Sequence, residues 1–322
     1  MNKIYFKIAL FLSLSSLAWP CSAQSKIDTT ETLTIGGIKQ VIQLSGADRS
    51  KPLLLFITGG PGLPGIYPED TTFTNQLQKH FVVIQWDQRN TGETLKLNPS
   101  PVKLTVNLYE KDTHELVSQL LAQYHRKKLF VMGWSWGTVL GFYMAGHYPE
   151  LLYAYMAVSP VTNQFESETI ALHMLQQKAL KDDNKTAIRE LSKVKIPFEN
   201  NMQIYYDRKW LLASSGGDIS DTVSLKKYFA DNAWVADLFD TAAVNNLMIT
   251  LPKINCPVYF FVGRKDYQTN YSVSEKYYNQ LKAPKKQLFW FEKSGHLIPF
   301  SEPDLLQKDV IDEILPQLAI GN

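Results

Sequence analysis

The chain has 322 residues, of which 45% are hydrophobic and 20% are charged. This composition is typical of a globular protein with a large core, and it excludes a disordered or fibrous chain. Lys and Arg number 33 and Asp and Glu number 31, for a formal net charge of +2. The sequence therefore lacks the basic excess that nucleic-acid binding requires. Its two cysteines, Cys21 and Cys256, are too few for a disulfide framework.

The N-terminal segment has the pattern of an export signal. Lys3 and Lys7 start an apolar run at residues 8–19, and the small residues 21–23 follow it. The run is shorter than the ~20 residues that a membrane helix needs. We therefore predict that residues 1–23 are a cleaved signal peptide and that the mature protein is periplasmic or extracellular, without stable membrane insertion. Lipidation of Cys21 is the less favoured alternative, because the residues just before it are not small.

Strand-like and helix-like segments alternate along the rest of the chain. Short β-branched and aromatic runs separated by amphipathic stretches indicate a mostly parallel sheet flanked by helices, which is an α/β fold. An antiparallel hairpin is predicted within residues 32–44, turning at Gly36-Gly37, at the edge of this sheet. The clearest strand-length runs are residues 53–58, 81–86, 129–133, 153–159, 258–263 and 287–291.

Residues 161–251 interrupt this alternation. Helical spacing replaces the strand signal there, and a loop rich in Ser and Gly occurs at residues 214–218. We predict that residues 161–251 form a helical cap inserted into a core made of residues 24–160 and 252–322. Cys256 lies just before an apolar run and is expected to be a buried structural residue.

A nucleophile motif occurs between a predicted strand and a predicted helix. Gly133-Trp134-Ser135-Trp136-Gly137 fits G-x-S-x-G, in which a sharp strand-to-helix turn exposes a serine hydroxyl. Glycines are needed on both sides because a side chain there would clash with neighbouring backbone. Ser135 is therefore the candidate nucleophile.

A serine hydroxyl needs a base and an acid that orients the base. Among the histidines, His296 alone fits the order serine, acid, histidine, and it follows the last predicted strand. Asp266 directly follows the preceding strand and is the candidate acid, with Glu292 as the weaker alternative. The carboxyl ends of parallel strands meet at one sheet edge, where we expect Ser135, Asp266 and His296 to assemble.

The oxyanion of an acyl-transfer reaction needs two backbone N–H donors. One is predicted to come from Trp136, the residue after the nucleophile, and the other from Gly60 in a glycine-rich loop, with Gly59 as the second choice. The same loop also matches a dinucleotide fingerprint at Gly60, Gly62 and Gly65. Two prolines in it remove the N–H donors that a pyrophosphate would need, so no nucleotide cofactor is expected.

A metal mechanism is not supported by the sequence. His114-Glu115 begins like H-E-x-x-H, but Ser118 occupies the second ligand position. No phosphate-binding loop of the G-x-x-x-x-G-K-[ST] type occurs either. We therefore predict no metal and no other cofactor.

Four separated motifs resemble those of the α/β-hydrolases, and within them those of the prolyl iminopeptidases. The resemblance implies a serine hydrolase that acts through an acyl-enzyme, with Ser135, Asp266 and His296 as its triad and Gly60 and Trp136 as oxyanion donors. It also implies aminopeptidase activity on short peptides. The motifs are Gly59-Gly60-Pro61-Gly62, Trp86-Asp87-Gln88-Arg89, Gly133 to Gly137 continuing to Tyr148-Pro149-Glu150, and Gly263-Arg264-Lys265-Asp266 with Ser294-Gly295-His296.

The chain departs from this family at three positions. Thr58 replaces a usual His, Trp134 a usual Gly, and Asn90 a usual Gly. The indole of Trp134 is expected to narrow or reshape the substrate pocket, so Trp134 is a candidate substrate-binding residue. The alternatives to an aminopeptidase are a carboxylesterase acting on small esters and a non-catalytic binding protein built on the same scaffold.

The resemblance also implies that cap carboxylates bind the free amino end of the substrate. Glu166 is better explained as a helix cap, because it follows Asn163 at capping-box spacing. Glu168 is thus the remaining candidate for substrate binding, against the simpler interpretation that it is a solvated surface residue. The predicted partner is a small peptide or ester, and the sequence leaves the oligomeric state open.

Overall fold

A twisted sheet forms the centre of the computed structural model, which describes residues 25–67, 71–215, 217–230, 238 and 242–318. The predicted signal peptide lies outside these residues. Within them the strand order is β1-β2-β4-β3-β5-β6-β7-β8. Strands β1, β2 and β4 pair antiparallel, and every pairing from β4 to β8 is parallel. The strands are β1 (Ile27–Ile35), β2 (Ile38–Gly46), β3 (Leu53–Ile57), β4 (Val82–Asp87), β5 (Leu129–Trp134), β6 (Leu152–Val158), β7 (Val258–Gly263) and β8 (Lys286–Phe291).

The parallel strands are buried on both faces, which explains their continuous apolar sequences. In β3, Leu53, Leu55 and Ile57 pack into one core cluster, while Leu54 and Phe56 pack into another on the opposite face. All six predicted strand runs are confirmed, each within one residue at its ends. The α/β fold class is confirmed as well.

The edge hairpin is longer than its sequence suggests. Strand β1 alternates buried and exposed residues and extends back to Ile27, beyond the predicted start at residue 32. Its polar outer positions hid the strand signal, because one face of an edge strand remains in water. The turn at Gly36-Gly37 has positive φ at both residues, as a tight hairpin turn requires.

Helices cover both faces of the sheet. On one face, helices α2 and α3 contribute side chains to the apolar cluster that contains Leu53. On the other face, the C-terminal helical segment contributes side chains to the cluster that contains Leu54. Cys256 is buried in the first cluster, and burial raises the pKa of its thiol to about 12. The helices are α1 (Gly92–Leu97), α2 (Val106–Gln123), α3 (Trp136–His147), α4 (Gln164–Lys181), α5 (Lys185–Leu191), α6 (Asn201–Ser214), α7 (Thr222–Ala230), α8 (Leu247–Thr250), α9 (Tyr271–Gln280), α10 (Ile298–Ser301) and α11 (Pro303–Lys308), with a π-helical turn at Asp309–Ile314.

Helices α4 to α8 lie in the chain between β6 and β7. Asparagines open α4, α5, α6 and α8, and each accepts a backbone N–H of the first turn through its side chain. Helices α4, α5 and α6 share a separate apolar cluster that includes Leu175, Leu191 and Leu211. Among the described residues, no helix is long and apolar enough to cross a membrane.

Candidate active site

Ser135 stands on a strained turn between β5 and α3. Its backbone has φ 52° and ψ −118°, a conformation that non-glycine residues rarely adopt. The flanking glycines make this turn possible, because a Cβ at Gly133 would overlap the carbonyl of Gly137, and one at Gly137 would overlap the carbonyl of Ile57. The Ser135 amide donates to the carbonyl oxygen of Val158 on the neighbouring strand at 3.0 Å. The sheet therefore holds the serine in this turn.

His296 meets Ser135 from the loop after β8. Its Nε2 lies 2.8 Å from the Ser135 hydroxyl oxygen, and its Nδ1 lies 3.0 Å from Oδ2 of Asp266. An ionised carboxylate can only accept, so Nδ1 carries the proton and Nε2 is free to accept from the hydroxyl. The carbonyl oxygen of His296 accepts 3.0 Å hydrogen bonds from Trp134 Nε1 and Ser159 Oγ. These two bonds fix the loop that carries the imidazole.

Asp266 is buried and fully hydrogen-bonded. Its Oδ1 accepts from the backbone amides of Gln268 and Thr269 at 3.0 Å, and its Oδ2 accepts from the Thr269 hydroxyl at 2.9 Å. Burial alone would raise the pKa of this carboxyl, but the charge of His296 and the hydrogen bonds from His296 and Thr269 lower it below its usual value. Asp266 is thus held ionised against the imidazole.

Glu292, the alternative acid, points elsewhere. Its carboxylate pairs with Arg264 at 3.1 Å, and its side chain is 68% exposed. A carboxylate in that position cannot orient His296. The structure therefore brings Ser135, His296 and Asp266 together and leaves Glu292 outside the group.

The two predicted oxyanion donors, Gly60 and Trp136, line one small cavity together with Ser135. Trp136 is the first residue of α3, where the backbone N–H groups have no acceptor within the helix. Gly60 has φ 126° and lines the same cavities as Ser135. Thr58, which replaces the family's usual His, shares a 2.8 Å hydrogen bond with the Tyr67 hydroxyl.

The acidic residue of the dinucleotide fingerprint has a structural role. Asp87 is buried and accepts from the backbone amides of Gly65, Ile66 and Glu93 at 2.7, 3.0 and 2.7 Å. Its oxygens therefore tie the glycine-rich loop to α1 and are not available to a ribose. Among the described residues, no group of three or more His, Cys, Asp or Glu side chains has the arrangement of a metal site.

Within the described residues, three cavities are lined by Ser135, by His296 or by both. The central cavity has a volume of about 190 Å³ and adjoins a large cavity of about 480 Å³. A small cavity of about 10 Å³ lies on the other side of Ser135, next to Trp136 and Gln164. Trp134 is buried and lines the central cavity. The other main residues around the central cavity are Leu63, Ile204, Arg208, Tyr228 and Leu297.

The expectation that Glu168 is a solvated surface residue is wrong. Only 2% of Glu168 is exposed, and its carboxylate forms a bidentate ion pair with Arg208 of α6. Gln164, one turn earlier on α4, donates to the same carboxylate at 2.6 Å. Both oxygens of Glu168 are thus occupied by protein groups, and Arg208 rather than Glu168 reaches the central and large cavities. The helical spacing alone could not reveal this pairing, because the partner lies forty residues away.

Asp207 completes this buried charge cluster. Its Oδ2 accepts from Arg208, and burial raises the pKa of its carboxyl to about 7, with Arg208 opposing the shift and Glu168 adding to it. Glu166 occupies the capping position predicted for it. Its backbone amide donates to Asn163 Oδ1 at 3.3 Å, and the side-chain Nδ2 of Asn163 donates to the Glu166 carboxylate at 2.9 Å.

Gln164, Asp207, Arg208 and Thr269 are site residues that sequence analysis missed. Thr269 supports Asp266, and the other three lie in the segment between β6 and β7. A signal existed for Asp207-Arg208, since opposite charges stand side by side within the aromatic run of α6. Gln164 gave no signal, because a glutamine at the start of a helix is ordinary.

Comparison with known proteins identifies the family. Residues 52–303 match the alpha/beta hydrolase fold family, so the chain belongs to that family and is a hydrolase. It is 29% identical over 305 residues to the "Probable aminopeptidase YbaC" of Bacillus subtilis (strain 168), spanning 88% of this chain and 95% of that protein.

Solved structures share the fold at low sequence identity. The proline iminopeptidase of Mycobacterium smegmatis superposes with a TM-score of 0.62 at 16% identity, covering 88% of this chain and 96% of that one. A thermophilic esterase from Thermogutta terrifontis superposes with a TM-score of 0.54 at 17% identity, covering 88% and 97%. The resemblance to prolyl iminopeptidases that the motifs indicated is confirmed at the level of family and fold.

Proposed function

We propose that this hydrolase acts through Ser135 as nucleophile, His296 as base and Asp266 as the acid that orients the base. The observation that carries the proposal is the unbroken contact from Ser135 Oγ to His296 Nε2 at 2.8 Å and from His296 Nδ1 to Asp266 Oδ2 at 3.0 Å. A hydroxyl within reach of an oriented imidazole can transfer its proton as it attacks a carbonyl.

The reaction proceeds in two halves. Ser135 Oγ attacks the substrate carbonyl and its proton passes to His296 Nε2, while the developing oxyanion accepts hydrogen bonds from the backbone amides of Gly60 and Trp136. Collapse of the tetrahedral intermediate breaks the scissile bond, and the leaving group takes the proton from His296. Water then attacks the acyl-enzyme with His296 again as base, which releases the acid product and restores the serine.

We propose an aminopeptidase acting on short peptides as the specific activity. The similarity to a probable aminopeptidase over nearly the whole chain supports this assignment. The helices between β6 and β7 support it too, because Ile204, Arg208 and Tyr228 from this segment line the central cavity together with Ser135 and so bound the space for substrate. In this proposal, residues 161–251 are the cap.

The test is a comparison of substrates with free and blocked amino ends. We expect kcat/KM for alanyl-4-nitroanilide to exceed that for its N-acetyl form by about tenfold or more, the scale of one charge-assisted contact. Ser135→Ala should lower turnover of both substrates by several orders of magnitude, and a fluorophosphonate probe should label the native protein but not this variant. Equal cleavage of both anilides would overturn the aminopeptidase proposal, and an active Ser135→Ala variant would overturn the serine mechanism.

An esterase is the second candidate. The large cavity of about 480 Å³ is lined mostly by apolar residues, among them Leu211, Leu212 and Phe229, and it suits an acyl chain as well as a peptide side chain. Faster cleavage of 4-nitrophenyl butyrate than of any free-amine substrate would favour this alternative.

We also propose that the protein is exported. The support lies in the sequence, where Lys3 and Lys7 precede a short apolar run and small residues. Its substrates would then be small peptides or esters outside the cytoplasm.

A further inference from the structure

The side chain of Gln164 is buried next to the Ser135 hydroxyl and has a fixed orientation. Only 2% of Gln164 is exposed, and its Nε2 donates to Glu168 Oε1 at 2.6 Å and to the backbone carbonyl of Gln268 at 2.9 Å. A carboxylate and a carbonyl can only accept, so the nitrogen of the amide must face them. Both of its N–H groups are used, and the oxygen must face the other way.

That oxygen is a buried acceptor without a donor. Gln164 Oε1 is buried, and within the described part of the chain it accepts no hydrogen bond. Buried polar atoms are nearly always paired, and an exception calls for an explanation. Gln164 lines the small cavity, together with Ser135, Gly60 and Trp136. The residue that carries this unpaired acceptor therefore lines the same cavity as the proposed nucleophile and oxyanion donors.

The small cavity admits one small group. Its volume is about 10 Å³, and its remaining walls include the apolar residues Val139, Val161, Ala242 and Ala243 and the polar residues Gln268 and Thr269, of which the Thr269 hydroxyl already donates to Asp266. A chain of several carbons does not fit there, whereas an amino group does. The rest of a substrate must then extend into the central cavity on the other side of Ser135.

We propose that Gln164 Oε1 accepts a hydrogen bond from the amino group next to the scissile carbonyl, and so selects aminoacyl substrates. The proposal rests on the aminopeptidase function above and assigns the amine contact to a neutral amide instead of a cap carboxylate. Arg208 pairs with Glu168, so the nearest carboxylate is already compensated. Glu168 is then a positioning residue, because its hydrogen bond sets the direction in which the Gln164 oxygen points.

Two anilides that differ only in the amino group test this contact. Alanyl-4-nitroanilide carries the amine, and propionyl-4-nitroanilide has the same carbon skeleton without it. We expect the native protein to prefer the alanyl substrate in kcat/KM by about tenfold or more, and Gln164→Met to reduce this alanyl-to-propionyl ratio to near one. Methionine matches the volume of glutamine and provides only a weak acceptor.

The ratio of the two substrates makes the test independent of folding yield, because both report on the same active fraction of a sample. Gln164→Asn serves as a second variant, since it keeps the amide but withdraws it from the cavity by one methylene, and it should lower the preference as well. Gln176→Met is the matched control. Gln176 lies on the same helix with its amide donating to the Leu191 carbonyl, and this variant should keep the native preference.

A third substrate tests the acceptor in the native protein. Lactyl-4-nitroanilide has a hydroxyl in place of the amine, which donates a hydrogen bond without a charge. We expect it to be cleaved faster than the propionyl analogue, and its O-methyl ether to be cleaved no faster. Equal rates for the lactyl and propionyl substrates would show that charge and not a donor is recognised, against the proposal.

The outcomes separate this inference from the function on which it rests. A native protein with no preference for the alanyl substrate contradicts the aminopeptidase function itself. A native preference that survives in both Gln164 variants leaves the aminopeptidase function standing and overturns the role of Gln164.

Discussion

Burial distinguishes the two carboxylates that follow the last two strands. Asp266 is 1% exposed and accepts four hydrogen bonds, whereas Glu292 extends into solvent beside Arg264. Only the buried carboxylate can hold an imidazole in one tautomer and stabilise its positive charge. We therefore expect substitution of Asp266 to reduce catalysis and substitution of Glu292 to leave it unchanged.

Asp266→Asn should lower kcat by about 10⁴-fold, because an amide leaves His296 free to adopt the wrong tautomer. Glu292→Gln should leave kcat unchanged, since an exposed ion pair contributes ~0–1 kcal/mol at most and does not reach the imidazole. Steady-state kinetics on one chromogenic substrate measure both. The opposite pattern would move the acid to Glu292.

The sequence was enough to propose Ser135, Asp266 and His296 residue by residue, but not to predict how the helices between β6 and β7 pair. Ser135, Asp266 and His296 each directly follow a strand with a clear apolar signature, and strand ends converge at one edge of a parallel sheet. Glu168 lies on a helix surface, where sequence position gives spacing along the helix but not the identity of the facing element. Its pairing with Arg208 decides its burial, and that pairing joins α4 to α6.

At the scale of elements, close contact between α3 and β3 positions the nucleophile. Gly137 lies so near the carbonyl group of Ile57 that no side chain fits between them. The first turn of α3 therefore approaches the sheet closely, with Ser135 at its N-terminal end. Gly137 of the predicted motif is therefore needed for the close packing of α3 against β3.

Gly137→Ala should destabilise the protein by about 2–3 kcal/mol and reduce activity, because the added methyl meets rigid backbone on β3. Gly146→Ala is the matched control on the same helix, since its methyl meets only the end of the Leu251 side chain. Urea unfolding gives the free energy of unfolding of each variant. A Gly137→Ala protein as stable as the control would contradict the proposed close contact.

Elements in the sheet were easier to predict than those between β6 and β7. Strands buried on both faces are apolar throughout, so their bounds appear in the sequence almost to the residue. Helices α4 and α6 bury charged residues as well as apolar ones, for example Glu168 and Arg208. Their existence followed from helical spacing, but the residues they present to the active site did not.

At the scale of the whole molecule, a buried ion pair joins three distant parts of the chain. Arg89 after β4 forms a bidentate contact with Asp112 of α2 and donates to the carbonyl of Gly36 in the edge hairpin at 3.0 Å. Both side chains of the pair are 0% exposed. The Trp86-Asp87-Gln88-Arg89 motif thus holds the hairpin and α2 against the sheet.

Arg89→Met should reduce the free energy of unfolding by about 3–5 kcal/mol, because it leaves the Asp112 carboxylate buried without its cation. Adding Asp112→Leu should restore part of this loss, since the uncompensated charge is then removed. Lys178→Met, which breaks an exposed pair with Asp182, is the control and should change stability by less than about 0.5 kcal/mol. Chemical denaturation measures all three, and a single Arg89 variant that behaves like the control would argue against the pair's role.

Local sequence patterns were enough to predict the fold class, the bounds of strands β3 to β8 and the order of the three triad candidates. These features depend on local periodicity and on motifs in which residues are close along the chain, such as the turn that carries Ser135. Contacts between distant elements determine that Glu168 is buried against Arg208 and that Gln164, whose side-chain oxygen is unpaired, lines a cavity with Ser135. Burial and hydrogen-bond pairing depend on residues from other elements, and local sequence patterns do not show which elements come into contact.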